Sequence, residues 1–98
     1  MNLLKIRLLA KNDIQEITTY FDEINPKITD SFLADLFNEF EIIRENPQIF
    51  TIKYRETRVR YLKRFSYGIH FVFTSKTVQI LAVFHTSRNP KIWKERNH

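Results

Sequence analysis

The sequence predicts an α+β domain in which a helical hairpin packs on an antiparallel sheet, in the order β-α-α-β-β-β. Three observations predict it. Between residues 12 and 46 apolar side chains recur at three- and four-residue steps, the period of a helix with one buried face. Between residues 58 and 85 they alternate, the period of a strand. Finally, residues 1–98 suit one hydrophobic core and no second one, so both parts belong to a single domain and bury each other. A hydrophobic fraction of 43%, with nine Phe and four Tyr, offsets the entropy of ordering such a chain.

Residues 3–9, Leu3-Leu4-Lys5-Ile6-Arg7-Leu8-Leu9, read as a short strand. A helix is expected just after it, with Asn12 as cap, Gln15 reaching back, and Asp13 and Glu16 complementing the dipole of the first turn. Ile14, Ile17, Phe21 and Ile24 form its apolar stripe. Asn25-Pro26 ends this helix and opens the next, because the residue before proline avoids helical angles while proline suits the first helical position. Ile28, Phe32, Leu33, Leu36, Phe37, Phe40 and Ile43 then keep helical spacing up to Asn46-Pro47. With almost no linker, the two helices form an antiparallel hairpin.

The strands are expected at Arg58 to Phe65, Tyr67 to Phe73 and Val78 to His85, with Thr74-Ser75-Lys76-Thr77 as the turn between the last two. Ile69, Phe71 and Phe73 share one face of the middle run. Val78, Ile80, Ala82 and Phe84 share one face of the last, and Leu81 and Val83 make its other face apolar too, which suits a central strand. The tail beyond Asn89-Pro90 is short and basic and carries the only tryptophan, Trp93.

Composition narrows the function classes. Without cysteine there is neither a disulfide framework nor a thiolate metal site. His70, His85 and His98 are scattered and lack metal-ligand spacing, so no metal and no cofactor is expected. Charge interrupts the N-terminus before a signal-peptide core develops, and no apolar run is long enough to span a membrane; a cytoplasmic protein without membrane contact is expected. Net charge is −4 over residues 1–50 and +9 over residues 51–98. Such a split suggests a face that meets a polyanion or an acidic protein segment, although a solvated basic surface would look the same.

The second half also carries a resemblance. Arg60-Tyr61-Leu62 leading to Phe65-Ser66-Tyr67-Gly68-Ile69-His70-Phe71 resembles a strand pair of the ParE/RelE superfamily of toxins. Ile80-Leu81-Ala82-Val83-Phe84-His85-Thr86-Ser87-Arg88-Asn89-Pro90, followed by Trp93, is similar to the C-terminal motif of the same superfamily. The resemblance implies the fold derived above and the toxin component of a type II toxin–antitoxin system, held inactive by a cognate antitoxin. RelE-like members cut messenger RNA on the ribosome; ParE-like members are associated with inhibition of DNA gyrase. RelE-like enzymes carry an arginine near the position of Gly68 and a catalytic tyrosine near that of Trp93, and this chain has neither. The ParE-like reading, a toxin that acts by binding gyrase, is therefore preferred. The alternatives are a metal-independent messenger-RNA endonuclease using His85, Arg88 and Arg60, and a degenerate antitoxin-binding regulator without toxicity.

Candidate residues follow. Arg58, Arg60 and Arg64 are expected to share one strand face, turned outward as a binding surface for antitoxin or target. Tyr67, Arg88 and Trp93 join that surface as candidates. His85 is either an acid–base group or a structural histidine at a strand end, and Arg88 either grips an anionic partner or is one more solvated cation.

Overall fold

The structure, a computed structural model, describes residues 2–97, so His98 lies outside the described residues. The elements are β1 (Leu3–Ile6), α1 (Leu8–Ile24), α2 (Pro26–Glu45), β2 (Ile52–Tyr54), β3 (Thr57–Tyr61), β4 (Tyr67–Thr74), β5 (Thr77–His85) and α3 (Trp93–Arg96). Short 3₁₀ turns at Pro47–Ile49 and Pro90–Ile92 precede β2 and α3. The two long helices cover one face of a five-stranded sheet of order β1-β5-β4-β3-β2. All neighbours are antiparallel except β1 and β5, which run parallel from Leu3↔Thr77 to Ile6↔Ile80. The sheet is thus mixed rather than wholly antiparallel. Among the described residues no helix is long and apolar enough to cross a membrane.

Asn25 joins the helices as expected. Its backbone is extended (φ −169°, ψ 117°), its side chain accepts the Lys27 N–H at 3.0 Å, and Pro26 takes the first helical position. At the start of α1 the expectation fails. The first strand stops at Ile6 instead of Leu9, and the helix begins at Leu8, four residues before Asn12, with the Lys11 N–H closing the first turn on the Arg7 carbonyl at 3.0 Å. No side chain caps it. The early start places Ala10, Asp13 and Ile17 on one buried stripe, so burial against the sheet outweighs the cap.

The three expected C-terminal strands form, but the first ends at Tyr61 rather than Phe65; the chain then turns so that the Leu62 N–H reaches the Tyr67 carbonyl at 2.9 Å. β2 is an additional edge strand, three residues long and too short to show a period. Ser75 and Lys76, both at positive φ (50° and 61°), make the tight β4–β5 turn. The β4–β5 register slips between His70↔Ala82 and Phe71↔Ile80, leaving Leu81 as the extra residue of a bulge. That bulge changes the expected faces. Val78 and Ile80 point toward the helices, but beyond it Val83 takes that side, while Ala82 and Phe84 turn away. The core is Phe32, Leu36, Phe40 and Ile43 of α2 with Ala10 and Ile17 of α1, laid on Ile69, Phe71, Val78, Ile80 and Val83.

Candidate functional site

The arginines of the basic half are positioned by strand parity. Arg58 and Arg60 lie opposite Phe71 and Ile69, which face the helices, so their side chains run toward α2 and not outward. There α2 presents Ser31, Asp35 and Glu39, spaced four residues apart and hence stacked on one flank. Arg60 clamps Glu39 (Nε to Oε2 2.6 Å), and Arg64 clamps Asp35 with two bonds of 2.9 Å while also donating to Ser31 Oγ at 2.9 Å. Arg58 donates to the Phe50 carbonyl at 2.7 Å. The expected outward arginine face is therefore a seam holding the sheet to α2. Only Arg64 stays mostly accessible, its side chain 62% exposed. Its hydrogen bonds hold the Asp35 carboxyl below the ordinary carboxylate value.

On the opposite face the tail returns over the sheet. β1 pairs with β5 only as far as Ile80, so the β5 edge beyond it has no neighbouring strand. Asp13 and Arg96 take its place. Asp13 Oδ2 accepts the Val83 N–H at 3.0 Å, Arg96 donates to the Leu81 carbonyl at 3.0 Å, and the two side chains pair bidentately at 2.7 and 2.8 Å. Trp93 then lies against Tyr54 (5.7 Å) and edge-on to His70 (4.8 Å). Tyr54 Oη and His70 Nδ1 stand 2.9 Å apart. Burial pushes the Tyr54 phenol up to about 12 and His70 down to about 4, so the pair is a neutral hydrogen bond. Trp93, expected at a contact surface, is thus packed into the tail's own cover; its Nε1 is buried and meets no partner among the described residues.

The remaining candidates meet at the end of the helix–sheet seam. His85 is paired with Tyr67 across the β4–β5 ladder, their rings edge-on at 5.2 Å. Ser87 donates its N–H to His85 Nδ1 at 3.1 Å, which leaves Nε2 as the proton-bearing nitrogen of the neutral ring. The Tyr67 phenol is raised by burial and, secondarily, by Tyr20. A cleft of about 190 Å³ is lined by Asp13, Glu16, Tyr20, Tyr67, His85 and Arg88. A hollow of about 440 Å³ adjoins it, sharing Tyr20, Tyr67 and His85 and adding Arg64 and Ser66.

The cleft contains two of the three expected nuclease residues and not the third. His85 and Arg88 line it; Arg60, committed to Glu39, does not. Arg88 lies over the Phe84 ring at 5.1 Å and has no carboxylate partner among the described residues. The structure adds Glu16 and Tyr20. In the sequence Glu16 is explained by the helix dipole; its four-residue step to Tyr20 is legible there, but not that this step faces His85. Gly68 also has a local reason. A Cβ there would stand 3.1 Å from the Tyr61 ring and 3.2 Å from Val59 Cγ1, so a larger side chain displaces the tyrosine that paves the glycine.

Comparison with known proteins agrees with this geometry. The solved structure described as the "Chromosomal ParDE TA system from P. aeruginosa" superposes with a TM-score of 0.77 over 87% of this chain and 96% of that one, at 19% identity, a likeness of fold. No curated protein sequence matches. The sequence profile of the ParE toxin of type II toxin–antitoxin systems, parDE, matches residues 4–90. With that match covering nearly the whole domain, the chain belongs to the ParE toxin family.

Proposed function

We propose that this protein arrests growth by binding DNA gyrase in the cytoplasm, and that a cognate antitoxin neutralises it. The observation that carries the reading is the family match over residues 4–90. The site supports a binding mode of action: Tyr61 packs over Gly68, where RelE-like enzymes carry an arginine, and Trp93 is folded into the tail. Arg64, Tyr67 and Arg88 border the accessible cleft and are the proposed contact residues; Arg58, Arg60 and Trp93 hold the surface that presents them. A supercoiling assay with purified toxin tests the target. Loss of supercoiling that antitoxin restores is expected, and full gyrase activity at saturating toxin rejects it. A chain that fails to arrest growth without antitoxin would instead be a degenerate regulator.

One observation favours a second reading, messenger-RNA cleavage on the ribosome. The cleft brings a carboxylate, Glu16, to the imidazole of His85 and the guanidinium of Arg88. In that reading Glu16 takes the proton of the attacking 2′-hydroxyl, the His85 Nε2–H and the Arg88 guanidinium balance charge on the phosphorane, and the proton Glu16 has taken up passes to the leaving 5′-oxygen. Mapping transcript ends after induction separates the two readings. Codon-positioned cuts that vanish in Glu16→Gln support cleavage, and an unchanged transcript pattern rejects it.

A further inference from the structure

The seating of the tail gathers cations from two distant parts of the chain. Pro90–Ile92 and Trp93–Arg96 run on as one helical stretch, so Lys91, Lys94 and Asn97, three residues apart, stack on one flank of it. Trp93 and Arg96 make the other flank and hold the sheet through Tyr54, His70, Asp13 and the Leu81 carbonyl. Asn97 donates to the Arg55 carbonyl, and to Thr57 Oγ1 at 2.8 Å, which sets the lysine flank beside the β2–β3 turn. There Lys53 and Arg55 bracket Tyr54. Lys53, Arg55, Lys91 and Lys94 are all exposed, and none meets a carboxylate among the described residues. Glu56 and Glu95 are the only acids of the two segments.

Like charges three residues apart on a helical stretch repel, and the cations of the adjoining turn add to that cost. The fold holds them together without neutralising them, which leaves a positive field along the tail. The rings of this corner are already occupied: Tyr54 and Trp93 lie against each other at 5.7 Å, and Trp93 is edge-on to His70 at 4.8 Å. They are not free to stack on unpaired bases, the contact by which single strands are held. Nor can α3, four residues long, fill a major groove and read base edges. What remains is contact with the phosphate backbone.

We infer that this row of cations is a binding site for duplex DNA, held through its phosphates without sequence preference. Four exposed cations on anchored elements meet charges that a duplex already keeps in fixed rows, so little ordering opposes the contact. The row shares no residue with the cleft of His85 and Arg88. It goes beyond the gyrase reading, which stands or falls without it.

The test follows the anisotropy of a labelled duplex of about 20 base pairs, titrated with the full toxin over a range of salt. The logarithm of the binding constant is expected to fall linearly with that of the salt concentration, with a slope of about −4 for four phosphate contacts. Two duplexes of unrelated sequence should bind alike. Lys91→Ala/Lys94→Ala is expected to weaken binding at low salt by about tenfold or more and to flatten the slope by about 2. Lys5→Ala/Lys11→Ala, on β1 and α1, should stay within about threefold of the wild type. Unchanged emission from Trp93, the only tryptophan, shows that the tail of the lysine variant is still seated. A slope near zero, an affinity indifferent to the lysine pair, or tighter binding of a single-stranded RNA of equal length overturns the site. Inhibition of supercoiling is measured apart from these titrations, so their failure leaves the gyrase reading intact.

Discussion

Three side chains set more of this structure than their exposure suggests. Asp13 and Arg96, their side chains 9% and 16% exposed, pair with each other and satisfy the edge of β5 that β1 leaves open. Asp13→Asn keeps the shape but strands a partly buried guanidinium; it is expected to cost about 3 kcal/mol or more in urea unfolding, and Arg96→Ala in the same background should add little. His70, 1% exposed, is the second case. Its pKa falls from 6.5 to about 4 on folding, first through burial, so below pH 6.5 the unfolded chain takes up a proton that the native one refuses. Stability is complete above about pH 6.5 and declines toward pH 4, by about 3 kcal/mol at most. Unfolding midpoints measured across that window should slope in the wild type and flatten in His70→Phe. Arg64 behaves differently again: its clamp on Asp35 is exposed, so Arg64→Ala should barely move the unfolding midpoint. A large loss of target or antitoxin binding in that variant would then report contact and not folding.

Elements show where periodicity is a sufficient guide. The helical stripes of α1 and α2 and the alternation in β4 were legible because each repeats over two turns or more, and a repeated period averages out local exceptions. Three features were not legible. The start of α1 lacks a cap signal and is set by burying Ala10; β2 is too short for any period; and the bulge at Leu81 reverses the faces of a strand whose two sides are equally apolar. The tight turns also carry an avoidable cost. Ser75 and Lys76 hold positive φ, which Asn and Gly tolerate better. Ser75→Asn/Lys76→Gly is expected to raise stability by about 1 kcal/mol in thermal or urea unfolding, and a loss would mean that the turn contributes something besides its backbone.

At the scale of the molecule, the split between an acidic first half and a basic second half serves the fold before it serves a partner. Glu39, Asp35 and Asp13 of the helices take up Arg60, Arg64 and Arg96 of the second half. The charge left over gathers around β2, the tail and the cleft. The tail is part of the domain: a chain ending at Pro90 loses the Trp93 cover over His70 together with Arg96, and should melt well below the Asp13→Asn variant and bind a hydrophobic dye. The sequence by itself determined the layers, the helical hairpin, four of the five strands and the family, because these rest on local period and on residue order along the chain. Tertiary structure decided which residues meet. Parity on β3 turned Arg58 and Arg60 inward, the bulge turned Phe84 away from the helices, and an early helix start brought Asp13 and Glu16 to the end of β5. Leu3 pairs with Thr77 and Asp13 with Arg96, and contacts between residues so far apart in the chain follow from packing that no local window of sequence contains.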